Sequence, residues 1–227
     1  MYKYETHLHT LPVSKCAKYG VRENLEFYKS QGYDGVFITN HFIQGNMLKP
    51  EGASYEELIR LYFSDYENAL SMSEEIGIRV FLAVEISYGG TDFLIFGLDK
   101  EWFLAHPEIL QIKFSDELRL MQADGAFISQ AHPFREAAYI DHIRLFPRCI
   151  EAVEVINGCR TDFENDMANH YADAYGLLKT AGTDNHQAGN QKKLAGIATE
   201  RPIESVADFI ELIREGKTTI FSEIIAD

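Results

Sequence analysis

Short apolar runs and amphipathic stretches alternate along the whole chain. Residues 3–9 read as a first strand. Val21, Leu25 and Tyr28 fall on one face of a helix over 21–31, which Gly32 ends. Asp34 to Asn40 is a second strand. Gly45 to Gly52 is a loop. Ser54, with Glu57 at the capping-box position, starts a long amphipathic helix that runs to about Ile76 and stops at Gly77. Ile78 to Ile86 and Phe93 to Leu98 read as strands, with a turn at Tyr88-Gly89-Gly90 between them. Trp102 to Ile112 is a lid-like or linking segment. A helix opens at Ser115 and ends before Gly125. Ala126 to Ala131 is a strand, and Arg135 to Phe146 reads as helical. A strand over Ala152 to Ile156 follows, then a helix over Asp162 to Tyr175 and a strand over Leu177 to Thr183. Gln187 to Leu194 is a polar loop. A short strand at Ile197 to Thr199, a helix from Ser205 to about Arg214 and a strand over Thr218 to Ile225 complete the series.

Alternation of this kind predicts parallel strands joined by right-handed crossovers. About seven such units over residues 1–227, read as one domain, suggest a closed or nearly closed barrel, whose functional groups sit at the C-terminal strand ends. The polar residues that end the apolar runs fit that expectation. His7 and His9 lie two apart, on one face of a strand, where two imidazoles can share one ion. His41, Glu85 and His132 each follow an apolar run, and Asp184 and His186 repeat the spacing of two. A lone His-x-His is weak evidence. Five strand endings in metal-competent groups are hard to explain by packing alone.

Composition narrows the function classes. No apolar run approaches the ~20 residues that span a bilayer. The first residues show no secretory h-region. Cys16, Cys149 and Cys159 are unpaired in spacing, which fits a reducing cytoplasm rather than a disulfide framework. The formal charge of −14 disfavours long nucleic acid and anionic membrane. It does not disfavour a small phosphorylated substrate, because bound cations invert the potential inside a cleft.

The ordered set His7-Leu8-His9-Thr10, Thr39-Asn40-His41, Val84-Glu85-Ile86, Ala131-His132-Pro133 and Gly182-Thr183-Asp184-Asn185-His186 resembles the PHP (polymerase and histidinol phosphatase) superfamily over essentially the whole chain. The resemblance implies a distorted (β/α)7 barrel and a metal-dependent phosphoesterase holding two or three divalent ions, with zinc, manganese or iron suited to the donor set. It places His7, His9, Glu85 and Asp184 on a first ion. Glu85 bridges to a second, which also takes His132, and His41 and His186 hold a third. Two positions depart from the family pattern. Cys16 stands in the loop where an acidic residue or histidine often completes the third site. Asp92 stands on the strand where a histidine is often found.

Arg135, three residues after His132, and Arg160, past the Val155-Ile156-Asn157 strand end, are candidate phosphate clamps. His132, His186 or Asp184 are candidate proton donors to the leaving oxygen. His106, His142 and His170 are read as non-ligands. Glu154 is expected to make a structural hydrogen bond, and Asp65, Glu67, Glu74 and Glu75 are read as a solvated helix face. The expected substrate is a small phosphomonoester such as histidinol phosphate, a nucleotide or a sugar phosphate. Alternatives are exonuclease-like cleavage of short oligonucleotides, a phosphotyrosyl protein, and a catalytically weak metal-binding regulatory domain. Oligomeric state is not legible in the sequence.

Overall fold

The computed structural model describes residues 1–225. Strand β1 (Tyr2–Leu8) leads through a long loop to helix α1 (Val21–Ser30) and strand β2 (Gly35–Ile38). Helix α2 (Tyr55–Ile76) starts at the Ser54–Glu57 capping box and ends on Gly77, at φ 74°. Strand β3 (Arg79–Tyr88) turns directly into β4 (Thr91–Phe96). Helices α3 (Lys100–Ala105) and α4 (Phe114–Ala123) precede β5 (Phe127–Ala131). Then come β6 (Ala152–Asn157), α5 (Asp162–Tyr175), β7 (Leu178–Gly182), β8 (Lys193–Thr199), α6 (Val206–Arg214) and β9 (Thr218–Ile224).

The strand order is β7-β6-β5-β4-β3-β2-β1-β8-β9. Just past β7, Asn185 bridges Leu8 in parallel, with His9 N donating to Asn185 O at 3.1 Å and Asn185 N to His7 O at 3.2 Å. That link brings β7 back to β1 and nearly closes a barrel of the first seven strands. Strands β8 and β9 lie outside it, β8 antiparallel to the first half of β1.

The expectation of uniformly parallel strands fails at β4, which is antiparallel to both β3 and β5. A two-residue turn cannot join parallel strands. Gly89 and Gly90, at φ 57° and 84°, supply the two positive-φ positions that such a hairpin needs. The reversal matters for the site, because it brings the beginning of β4, and so Asp92, to the end of the barrel where β3 and β5 finish.

The interior grades from apolar to polar along rows of alternate residues. On β3 the row runs Phe81, Ala83, Glu85, and on β4, in the opposite chain direction, Phe96, Leu94, Asp92. All six are buried. Helix α6 lays Phe209 against Phe37 and Phe96, with ring centroids 4.5 and 5.1 Å away, which fills the apolar end. A second cluster packs α2, α4 and α5 onto the outer face of the sheet.

Other expectations also need correction. Residues 135–146 form no helix. They drape over the β3–β4 hairpin, where Arg135 and Arg144 donate to the carbonyls of Gly90 and Gly89, and Gln130 Nε2 donates to Arg144 O. These side-chain anchors hold the segment in irregular structure and override its weak helical pattern. His142 therefore lies in irregular structure, exposed and away from the barrel mouth. The segment over Trp102 to Ile112 links rather than covers. It holds α3 and a short 3-10 turn, with Phe103 buried against Phe42 and Phe63. The strand expected at 197–199 begins earlier, at Lys193, because β9 pairs with its whole length.

Candidate metal centre

His7 and His9 reach the mouth from the end of β1, His41 from just beyond β2, and Asp184 and His186 from just beyond β7. Glu85 is not at a strand end. It sits inside β3, which extends three residues further toward its hairpin, and there it bridges to His41. His132 and Asp184 adopt φ of 26° and 60°, backbone conformations costly for residues with a Cβ. Both are ligand candidates, so the strain is concentrated where the side chains must be aimed.

Two carboxylates organise the cluster. Glu85 lies 3.2 Å from His7 Nε2, 3.6 Å from His9 Nε2 and 3.7 Å from His132 Nε2, and also contacts His41 Nδ1. Asp184 lies 3.5 Å from His7 Nε2, 3.3 Å from His9 Nε2, 3.7 Å from His132 Nε2 and 3.4 Å from His186 Nδ1. Among the described residues three sets bring donor atoms within 4.8 Å of one another: His7, Glu85 and His132; His7, His9 and Asp184; His9, His41 and His186. Glu85 thus stands with His132 as the motif pattern suggests, while His9 is close to His41 and His186 as well as to Asp184.

The donor set fits divalent ions. His9 Nε2 and Glu85 Oε2 are buried and have no hydrogen-bond partner, a costly arrangement unless a cation completes it. Burial would push Glu85 and Asp184 up, but the surrounding imidazoles hold both well below the usual carboxylate range. Burial would push His7 down, yet the carboxylates of Glu154 and Asp184 raise it well above its ordinary value. His9 is driven well down by burial and by the neighbouring His186 and His41. Cys16 faces both of these histidines. Burial opposes its ionisation, but hydrogen bonds to His186 and His41 bring the thiol down to about 6. A thiol so placed is a competent soft ligand.

A cavity of about 510 Å³ opens over the cluster, with Cys16, His41, Asp92, His132, Arg135 and Tyr139 in its wall. Arg135 forms an ion pair with Asp92 Oδ2 at 2.9 Å and donates to Gly90 O at 3.0 Å, and its guanidinium lies 5.7 Å from the Tyr139 ring centre. Asp92 Oδ2 is 3.8 Å from His132 Nε2 and joins none of the three donor sets. Arg160 is not in the cavity wall. Its backbone closes a turn onto Asn157, and its Nε is buried without a partner. Lys15 and Lys18 are exposed outside the cavity, and His106 stacks on Trp102 at 4.3 Å. A larger cleft of about 660 Å³ lies around Met1, Leu212 and Lys217 near the opposite end of β1, but Glu200 is the only acidic side chain in its wall and no histidine or cysteine lines it.

Two supporting carboxylates were not foreseen as such. Asp65 is no part of a solvated face. It is buried and accepts from Thr10 Oγ1 at 2.8 Å, Asn40 Nδ2 at 3.1 Å and Val13 N at 3.3 Å. The signal was its helical phase, three residues after buried Tyr62 and four before buried Ala69. Glu154 does make the expected structural bonds, but to the cluster itself. Its Oε1 is 2.9 Å from His7 Nδ1, and its Oε2 accepts from His132 N at 3.1 Å and Asn157 Nδ2 at 2.9 Å. A charged residue between Val153 and Val155 marked it.

Residues 162–218, about a quarter of the chain, match a family model described as PHP-associated, a stretch that includes Asp184 and His186. The chain also superposes on a two-domain protein from Bacteroides vulgatus that contains a predicted PHP-like metal-dependent phosphoesterase. The TM-score is 0.71 at 15% identity, over 97% of this chain and 64% of that one. The fold is the PHP fold. The chain spans less than two thirds of the length of that two-domain relative. PsfC from Pseudomonas syringae has a TM-score of 0.60 at 14% identity over 100% of this chain and 93% of its own. An amidohydrolase from Chromobacterium violaceum, with sulfate bound and no metal, has a TM-score of 0.56 at 14% identity over 95% of this chain and 97% of its own. No curated protein matches the chain. Among the described residues no helix is long and apolar enough to cross a membrane.

Proposed function

We propose that this PHP-fold chain is a metal-dependent phosphoesterase that hydrolyses a small phosphomonoester. The observation that supports it best is the meeting of seven potential ligands, His7, His9, His41, Glu85, His132, Asp184 and His186, beneath a cavity that also carries a guanidinium. Cys16 is a candidate eighth, facing His41 and His186. Divalent ions held there would supply Lewis acidity and lower the pKa of water toward neutrality. The chain's own residues do the rest. Arg135, held by Asp92 and Gly90 O, binds the phosphoryl oxygens with its planar donors. In this reading Asp92 positions Arg135 and is not a metal ligand. Of His132 and His186, both held by Asp184, one left unligated would pass a proton to the leaving oxygen. Arg160 carries no role in it.

The cavity volume suits a substrate of metabolite size. Short oligonucleotide ends remain the second enzyme reading, and amide hydrolysis is a third arm of the test. The experiment is a steady-state assay of the purified chain, treated with chelator and then given manganese or zinc. Aryl phosphate, histidinol phosphate, mononucleotides, sugar phosphates, a phosphodiester and an amide should be compared. Metal-stimulated turnover of phosphomonoesters above the other classes is expected. No turnover of any ester with bound metal demonstrated would favour the regulatory metal-binding module.

A further inference from the structure

Behind the seven candidate ligands lie two hydrogen-bonded frames that share no residue. In the first, Glu154 takes His7 Nδ1 at 2.9 Å and His132 N at 3.1 Å. In the second, Asp65 Oδ2 accepts from Asn40 Nδ2 at 3.1 Å and from Thr10 Oγ1 at 2.8 Å. Those bonds fix which end of the Asn40 amide faces which way. Its Oδ1 then accepts from Ser14 Oγ at 2.7 Å and from Thr10 N at 2.7 Å. With its proton committed to Asn40, Ser14 Oγ is left as an acceptor. It takes His41 N at 3.0 Å and faces His9 Nδ1 at 3.2 Å. All of the side chains in the second frame are buried.

The consequence is chemical. A carboxylate on His7 Nδ1 keeps the proton there and leaves the Nε2 lone pair free. The Asp65–Asn40–Ser14 chain imposes the same tautomer on His9, whose Nε2 is the buried atom without a partner. Each frame also grips a second histidine of one donor set: His132 with His7, and His41 with His9.

We propose that Glu154 and Asp65, the latter acting through Asn40 and Ser14, are positioning residues that each fix the ligating tautomer of one histidine of the His7/His9 pair. They thereby set the affinities of the two flanking cation sites separately. The inference rests on the metal-binding part of the proposed function, and Asp65 comes to it from the middle of α2, remote in sequence from every ligand.

The test is calorimetric titration of the metal-free chain with Zn²⁺ alone, alongside the melting temperature of each metal-free variant. Ser14→Ala should weaken the flanking site that holds His9 by about 10- to 100-fold and leave the flanking site that holds His7 and His132 unchanged, and Ser14→Thr, which keeps the hydroxyl, should restore the first. Glu154→Gln should weaken the second by a similar factor. Asp65→Ala should reproduce Ser14→Ala. If it does not fold, Ser14→Ala and Ser14→Thr still decide the matter. The central His7, His9 and Asp184 set apart, which both variants touch, the inference is overturned if Ser14→Ala and Glu154→Gln weaken the same flanking site. It is also overturned if Ser14→Ala only lowers the metal-free melting temperature while Zn²⁺ binds as in the parent. A parent chain that binds no Zn²⁺ would instead sink the proposed function and the inference with it.

Discussion

Replacing Arg135 by Ala tests whether the mouth recognises phosphate. The Arg135 side chain is only 16% exposed, forms an ion pair with Asp92 and donates a hydrogen bond to Gly90 O. Burial works against its charge, and the carboxylate of Asp92 more than restores it, so it stays protonated throughout the working range. A charge-assisted contact to a phosphoryl oxygen contributes roughly 1.5–3 kcal/mol, which is about one to two decades in kcat/KM. Arg135→Ala should therefore lose about 10- to 100-fold in kcat/KM for a phosphomonoester, with metal content unchanged. The loss has a second source, because Asp92 is nearly buried and would be left without its cation, 3.8 Å from His132. Adding Asp92→Asn should recover part of the loss if that uncompensated charge contributes, and the double-mutant cycle measures how much. Arg135→Lys should recover only part, since an ammonium lacks the planar fork. The assay is steady-state kinetics with elemental analysis of each variant. Parent-like hydrolysis by Arg135→Ala would refute the reasoning, and Arg160, out of the cavity wall, offers no ready substitute.

Three further outcomes are expected. His9→Ala should strip metal and activity together and lower the melting temperature of the metal-loaded protein, because a bound ion stabilises the folded state; unchanged metal per chain by elemental analysis would remove His9 from the ligand set. Cys16→Ser should lower metal stoichiometry without unfolding the chain, and a zinc-loaded crystal structure with the sulfur far beyond ~2.3 Å of any ion would make Cys16 a bystander. Glu117 is buried, with only Gln44 donating to it, and burial pushes its carboxyl up from 4.5 to about 7. An acid raised in the folded state binds more protons there than in the unfolded chain, so the parent should lose stability as pH rises from about 4.5 to about 7. Glu117→Gln should abolish that slope and gain on the order of 3 kcal/mol above it; denaturant melts at pH 5 and pH 8 showing the same slope in both proteins would overturn the assignment.

Much of the candidate site was legible because metal-competent side chains interrupt apolar strands, and period-two spacing places them without any knowledge of the fold. His7, His9, His41, Glu85, His132, Asp184 and His186 converge as the motif order implied. Strand direction was less legible. Glycines at 89 and 90 announce a turn, but the alternation of strands and helices elsewhere in the chain obscured that this turn reverses β4. Residues 135–146 failed for a different reason. Their conformation is set by hydrogen bonds to the hairpin carbonyls, a tertiary effect that local propensity does not contain. Asp65 was misread because charge was weighed above helical phase, although its partners Thr10, Val13 and Asn40 lie far away in sequence and could only be found in space.

The charges at the mouth also imply an order of binding. Three carboxylates, Glu85, Asp92 and Asp184, line the cavity, and among the described residues Arg135 is the only lysine or arginine in its wall. Asp92 already neutralises that guanidinium at 2.9 Å. Glu85 and Asp184 are held ionised by neighbouring protonated imidazoles, which would release their protons on taking up a metal. Without cations those carboxylates are offset by the raised imidazoles of His7, His41 and His186, so a phosphate dianion meets no net positive charge, within a chain of formal charge −14. Divalent ions in the three donor sets would make the local potential positive. Inorganic phosphate should therefore bind the metal-free chain weakly or not at all, and bind measurably once Zn²⁺ or Mn²⁺ is loaded. Calorimetry with phosphate, before and after loading, checks it. Equal phosphate affinity in both states would mean that the anion is held by groups outside this cluster, and the electrostatic argument would fail.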